Sequence, residues 1–162
     1  MHILSLVQQY QKKTNSLDAY VVKIDSIGNV IWTHSYGGLD IDGVSSIAKI
    51  ADDYGYVLLG YTKSYMLDKS RIKKRGFFGR ILANIFKKKL TSEIWIINID
   101  EFGDRNWHNT YGGKKEDYGK SIKLMADGGY LISGETNSIG TGRNDIWLLK
   151  IDKNGKIEWD NT

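Results

Sequence analysis

The sequence predicts an all-β chain built from repeated four-stranded antiparallel units, with one helical insertion. Three observations carry this. The stretch D-A-Y-V-V-K-I-D-S-I-G-N-V-I-W (18–32) recurs as E-I-W-I-I-N-I-D-E-F-G-D-R-N-W (93–107) and D-I-W-L-L-K-I-D-K-N-G-K-I-E-W (145–159). A period near 50 residues is the sequence signature of repeat architecture. Eighteen glycines, ten tyrosines and five tryptophans, with no proline, suit pleated sheets joined by Gly, Asn and Asp turns. Finally, nine basic residues fall between Lys69 and Lys89 with no acidic residue among them.

Within a copy the pattern resolves into four strand-like runs. The first covers 46–51 and 121–126, each followed by a D-D-Y-G or D-G-G turn. The second covers 56–61 and 130–135 and ends in T-K-S or T-N-S. The third covers 19–24, 94–99 and 146–151. A D-x-x-G turn follows it every time, at Asp25, Asp100 and Asp152. Asp and Gly at such spacing mark hairpins with one residue at positive φ. The fourth run carries Trp32, Trp107 and Trp159. Residues 2–13 read as a degenerate second run, because T-N-S at 14–16 matches the end of that run elsewhere.

Four short antiparallel strands per repeat are the pattern of a propeller blade. The predicted organisation is a single β-propeller-like domain over 1–162 of about three, incomplete, blades. It divides into a partial blade 1–38, a blade 39–113 with a basic helical insertion at 66–91, and a blade 114–162. Propellers close with four to eight blades, so this count predicts self-association into a homo-oligomer, or pairing with other propeller blades, to cover the free edges.

The pattern D-x-W-L-x-K-x-D-x-x-G-x-x-x-W (Asp145, Trp147, Lys150, Asp152, Gly155, Trp159) carries a resemblance. So do Y-G-G at 111–113, Asp117, S-I at 121–122, D-G-G-Y at 127–130 and G-x-T-x-S at 134–138. These resemble the tandem β-propeller repeats of many archaeal and bacterial proteins, often secreted or surface-anchored. The resemblance implies a fold and leaves activity open.

Bulk properties exclude several classes. Hydrophobic content of 41% with 12% aromatics excludes an intrinsically disordered chain. The absence of cysteine removes disulfides, thiolate metal sites and thiol nucleophiles. The first ten residues lack a basic n-region and a long apolar run, so no cleavable signal peptide is expected. No apolar run reaches the length of a membrane-spanning helix, and the compartment stays unassigned.

Candidate chemistry is sparse. One Trp per copy at a fixed place reads as core between repeats, ahead of ligand stacking. Asp25, Asp100 and Asp152 offer one carboxylate per turn, which fits self-capping turns better than a calcium site. Asp42 and Asp117, six residues after Tyr36 and Tyr111, read as strand-connecting residues. Gly113 to Ser121 nearly spells a phosphate loop but has five residues between its glycines where that motif needs four. His2, His34 and His108 show no metal-ligand spacing, and no cofactor motif is found. Lys23 and Lys150, on the third run, read as a solvated strand face ahead of a polar channel ring.

The basic segment is the main functional lead. Nine of the 23 basic residues lie in it, leaving 14 against 19 acidic residues elsewhere. Phe78, Ile81, Leu82, Ile85 and Phe86 fall on one stripe at helical spacing, beside Phe77. Arg71, Lys73, Lys74, Arg75, Arg80, Lys87, Lys88 and Lys89 surround that stripe. A basic amphipathic helix of this kind packs on the body or lies on an anionic membrane surface. Nucleic acid is disfavoured, since the acidic body opposes it. The expected function is a non-enzymatic binding or scaffold module with a basic docking arm. The alternatives are a propeller-type hydrolase or lyase with a channel-mouth active site, or a peripheral membrane protein.

Overall fold

The computed structural model describes residues 3–11, 16–38, 40–50, 55–64 and 91–162; for 3–11 the backbone alone is described. Among these residues the chain forms eleven strands in three antiparallel sheets. The first sheet holds β1 (Ile3–Gln11), β2 (Ser16–Ile24) and β3 (Val30–Tyr36) in chain order. The second holds β4 (Asp42–Lys49), β5 (Tyr56–Thr62), β6 (Glu93–Ile99) and β7 (Arg105–Tyr111). The third holds β8 (Asp117–Leu124), β9 (Tyr130–Thr136), β10 (Asp145–Ile151) and β11 (Ile157–Asn161).

The propeller expectation is corrected here. The sheets number three, one of them three-stranded, and they do not close on themselves. Apolar clusters join the first sheet to the second and the second to the third; among the described residues none joins the third back to the first. No helix occurs among the described residues, and the inserted amphipathic helix predicted at 66–91 lies almost entirely outside them.

Packing follows from which faces must be buried. In the middle sheet Val57, Leu59, Ile94 and Ile96 point toward the third sheet and meet Ile122, Tyr130, Ile132, Trp147, Leu149 and Ile151. The alternate residues Leu58, Trp95, Ile97 and Ile99 point the other way and meet Ala19, Val21 and Tyr36. A strand buried on both faces must be apolar at successive positions, which is why residues 57–59 of β5 and 94–97 of β6 read as apolar runs. In the third sheet β9 alternates instead, burying every second residue.

Polar contacts set the register between sheets. Tyr36, at the end of β3, donates its hydroxyl to the carbonyl of Gly103 in the β6–β7 turn at 2.6 Å. Tyr111, at the end of β7, does the same to Gly155 in the β10–β11 turn at 2.5 Å. Trp32 Nε1 and Lys23 Nζ both donate to the Glu101 carbonyl, at 2.9 and 2.8 Å. The first and second sheets thus each receive the D-x-x-G turn of the sheet after them beneath their last strand.

The first strand of each four-stranded sheet begins four residues before the sequence-predicted run, at Asp42 and Asp117 rather than 46 and 121. A bulge after Val44 and another after Gly119 hide the alternation of this early part.

Repeat-equivalent positions separate burial from sequence. Ile96 is fully buried, whereas its equivalent Leu148 is 38% exposed. Ile96→Ala should cost about 2–5 kcal/mol of unfolding free energy. Leu148→Ala should cost less than about 1 kcal/mol. Urea denaturation of both variants at low protein concentration checks the contrast; equal losses would contradict this packing.

Candidate functional site

The side chains singled out in the sequence fall into four groups. The docking-arm residues Arg71, Lys73, Lys74, Arg75, Phe77, Phe78, Arg80, Ile81, Leu82, Ile85, Phe86, Lys87, Lys88 and Lys89 all lie outside the described residues, as does His2. The segment carrying them departs after Ser64 and returns before Ser92, both buried.

The turn carboxylates form the second group, and each closes its own turn. Asp25 Oδ1 accepts the N–H groups of Ile27 and Asn29, both at 2.9 Å. Asp100 Oδ1 accepts those of Phe102 and Asp104, and Asp152 Oδ1 those of Asn154 and Lys156. The following glycine sits at positive φ each time: 93° at Gly28, 88° at Gly103, 82° at Gly155. These backbone bonds hold the carboxyls of Asp25 and Asp152 below their ordinary range, chiefly through Asn29 and Lys156. Among the described residues no cluster of three potential metal ligands forms.

Asp42 and Asp117, the third group, are buried corner residues. Asp42 accepts the Thr62 hydroxyl at 2.5 Å, the Ser64 hydroxyl at 2.7 Å and the Gly38 N–H at 2.7 Å. Asp117 repeats this set with Thr136, Ser138 and Gly113. Each carboxylate ties a Y-G-G corner to the T-x-S end of the next strand, so the T-K-S and T-N-S signatures are its donors. Gly113–Ser121 therefore spans a corner and the start of β8, not a phosphate loop. Burial pushes the Asp42 carboxyl up despite those three donors.

The tryptophans, histidines and lysines complete the inventory. Trp32 and Trp107 lie partly buried between sheets, as expected of core, whereas Trp159, expected there too, is 49% exposed because no described sheet packs over it. His34 packs edge-on against Trp32, and His108 accepts the indole N–H of Trp95 at 3.2 Å. Lys150, predicted to lie on a solvated face, is buried. Its ammonium is held by Asp127 and Glu158, both at 2.8 Å, and the Asp127 bond foremost raises its pKa. Lys23 is buried too, over the rings of Trp32 and Tyr56.

What the sequence did not single out is a surface. On β10, Trp147, Leu149 and Ile151 point into the core, so Ile146 and Leu148 point away from it. Ile146 is 70% and Leu148 38% exposed, while the equivalent Ile94 and Ile96 are buried beneath the third sheet. Trp159 pairs across from Lys150 and is 49% exposed. Ile146, Leu148 and Trp159 share one face with Glu135, Ser133, Lys150 and Asn161, and several exposed apolar side chains on one face mark a candidate interaction site on a folded protein. The signal was present in the repeat alignment, since residues that are core in one copy keep their apolar type in the last.

No protein-family model matches the chain, and no curated protein matches it significantly.

The carboxyl shifts have opposite consequences for stability. Asp42, raised on folding, contributes stability at pH below the ordinary carboxylate range and loses it as pH rises through its raised value. Asp25 and Asp152, lowered on folding, contribute above that range and lose it as pH falls. Carboxyl-carbon NMR titration should find Asp42 releasing its proton at higher pH than Asp25 and Asp152. The reverse order would mean that Asp42 is not buried in this network.

Proposed function

We propose that the chain is a non-enzymatic binding and assembly module that self-associates through its uncovered sheet face. One observation carries this: Ile146, Leu148 and Trp159 keep apolar side chains at positions whose equivalents are covered in the preceding sheets. The polar chemistry supports the same reading. The buried carboxylates Asp42 and Asp117 are duplicates of each other, and both are engaged by hydroxyl and N–H donors at strand corners. An active site needs groups free to meet a substrate. Light scattering on size-exclusion fractions should give a mass of at least two 18.4 kDa chains. Replacing both Ile146 and Leu148 by Asp should return it to one chain with unchanged β circular dichroism. A wild-type monomer across the micromolar range would overturn the reading.

The nine-residue basic charge of the 69–89 segment supports a second role for the same module, docking on an anionic surface. Each basic side chain near such a surface contributes about 1 kcal/mol. The protein should co-sediment with vesicles containing anionic lipid at low salt. Changing Lys87, Lys88 and Lys89 together to Gln should weaken that binding by at least tenfold; equal binding to neutral vesicles would refute the charge-based docking.

A further inference from the structure

We infer that the exposed face of the third sheet is filled by the first sheet of a second copy, entering head to tail with its Asp25–Gly28 turn foremost. This rests on the self-association just proposed and specifies its geometry. The chain contains the same joint twice. In the first, Ala19 and Val21 of β2 meet Trp95, Ile97 and Ile99 of β6. The turn of the second sheet lies beneath Trp32 and Tyr36, with Trp32 bonded to the Glu101 carbonyl and Tyr36 to that of Gly103. In the second, Ile94 and Ile96 of β6 meet Trp147, Leu149 and Ile151 of β10. There Tyr111 and Asn109 both donate to the Gly155 carbonyl.

Among the described residues the two outer sheets each carry part of a third joint. The accepting half is on the third sheet, where Ile146 and Leu148 stand for Ile94 and Ile96, Trp159 for Trp107, and Asn161 for Asn109. The entering half is on the first sheet. Its turn has the same Asp-capped bonds and the same positive φ as the two turns already docked. A β-carbon placed on Gly28 would meet nothing within 4 Å, whereas one on Gly103 would strike His34 and one on Gly155 would strike Asn109. Behind that turn, Tyr20, Val22 and Ile24 are only half-buried, at positions where Trp95, Ile97 and Ile99 are core. The two end faces differ from each other, so each fits the other and not itself. In the assembled joint Trp159 Nε1 donates to the Ser26 carbonyl of the second copy, as Trp32 does to Glu101. Such a contact is heterologous.

Heterologous contact has a signature that self-complementary contact lacks. Leu148→Glu blocks the accepting face and Val22→Glu the entering face, and each variant alone should run as an 18.4 kDa monomer. Mixed in equal amounts they should form a one-to-one complex of twice that mass, through the one intact face on each. A face-to-face dimer predicts no recovery on mixing; that result would overturn the head-to-tail geometry while leaving self-association intact. A monomeric wild-type protein would overturn both, whatever other partner the face then takes. Because Val22→Glu could disturb β2, cysteine cross-linking provides a second measurement in a chain that has no native cysteine. Ser26→Cys and Asn161→Cys should be joined by a short bis-maleimide when mixed, and neither should link to itself. Self-linking of Asn161→Cys would also reject the inference.

Discussion

Burial of both faces of the β5–β6 ribbon is the constraint on which this structure depends. Eight apolar side chains on two strands must leave water in two directions, and a sheet packed on each side achieves that. Each fully buried Leu, Ile or Val contributes about 1.5–3 kcal/mol, against about 1 kcal/mol net for a hydrogen bond such as that of Tyr111 to Gly155. Burial therefore drives the stacking, and the directional bonds select its register.

Those bonds follow a strict order along the chain. A Tyr closes the last strand of one sheet, Gly-Gly turns the corner, and a buried Asp gathers the donors that hold it. The partner of the Tyr is the turn of the following sheet, never of the preceding one. This gives every joint a direction. It also explains why the tolerance for an added side chain differs so widely among glycines of the same turn type. Gly103 and Gly155 are pressed beneath a neighbouring sheet, while Gly28 faces open space.

A directional joint repeated along a chain leaves two unlike ends. Lys23 shows how the joint is used when filled, reaching the Glu101 carbonyl across the interface. Its equivalent Lys150 meets no further sheet among the described residues and is held instead by Asp127 and Glu158 of its own sheet. The same residue type at the same repeat position thus satisfies its charge in two ways, according to whether a neighbour is present.

Much of this was legible in the sequence, because the relevant physics is local. Strand runs, D-x-x-G turns with glycine at positive φ, and the connecting role of Asp42 and Asp117 follow from periodicity and turn chemistry within a few residues. The exposed face was only half legible: the alignment showed that Ile146, Leu148 and Trp159 are apolar, as their equivalents are. Whether they were covered depends on how many sheets the chain supplies and how those sheets stack. Closure was misread for the same reason, since a blade-like repeat specifies the joint between neighbours and not a ring. Lys150 was misjudged because Asp127 and Glu158 reach it only once β9, β10 and β11 are assembled. Sequence alone determined the repeating unit, whose signals lie within one hairpin. Tertiary structure alone decided which faces of those units meet and which remain open, because burial is a property of neighbours that lie far apart along the chain.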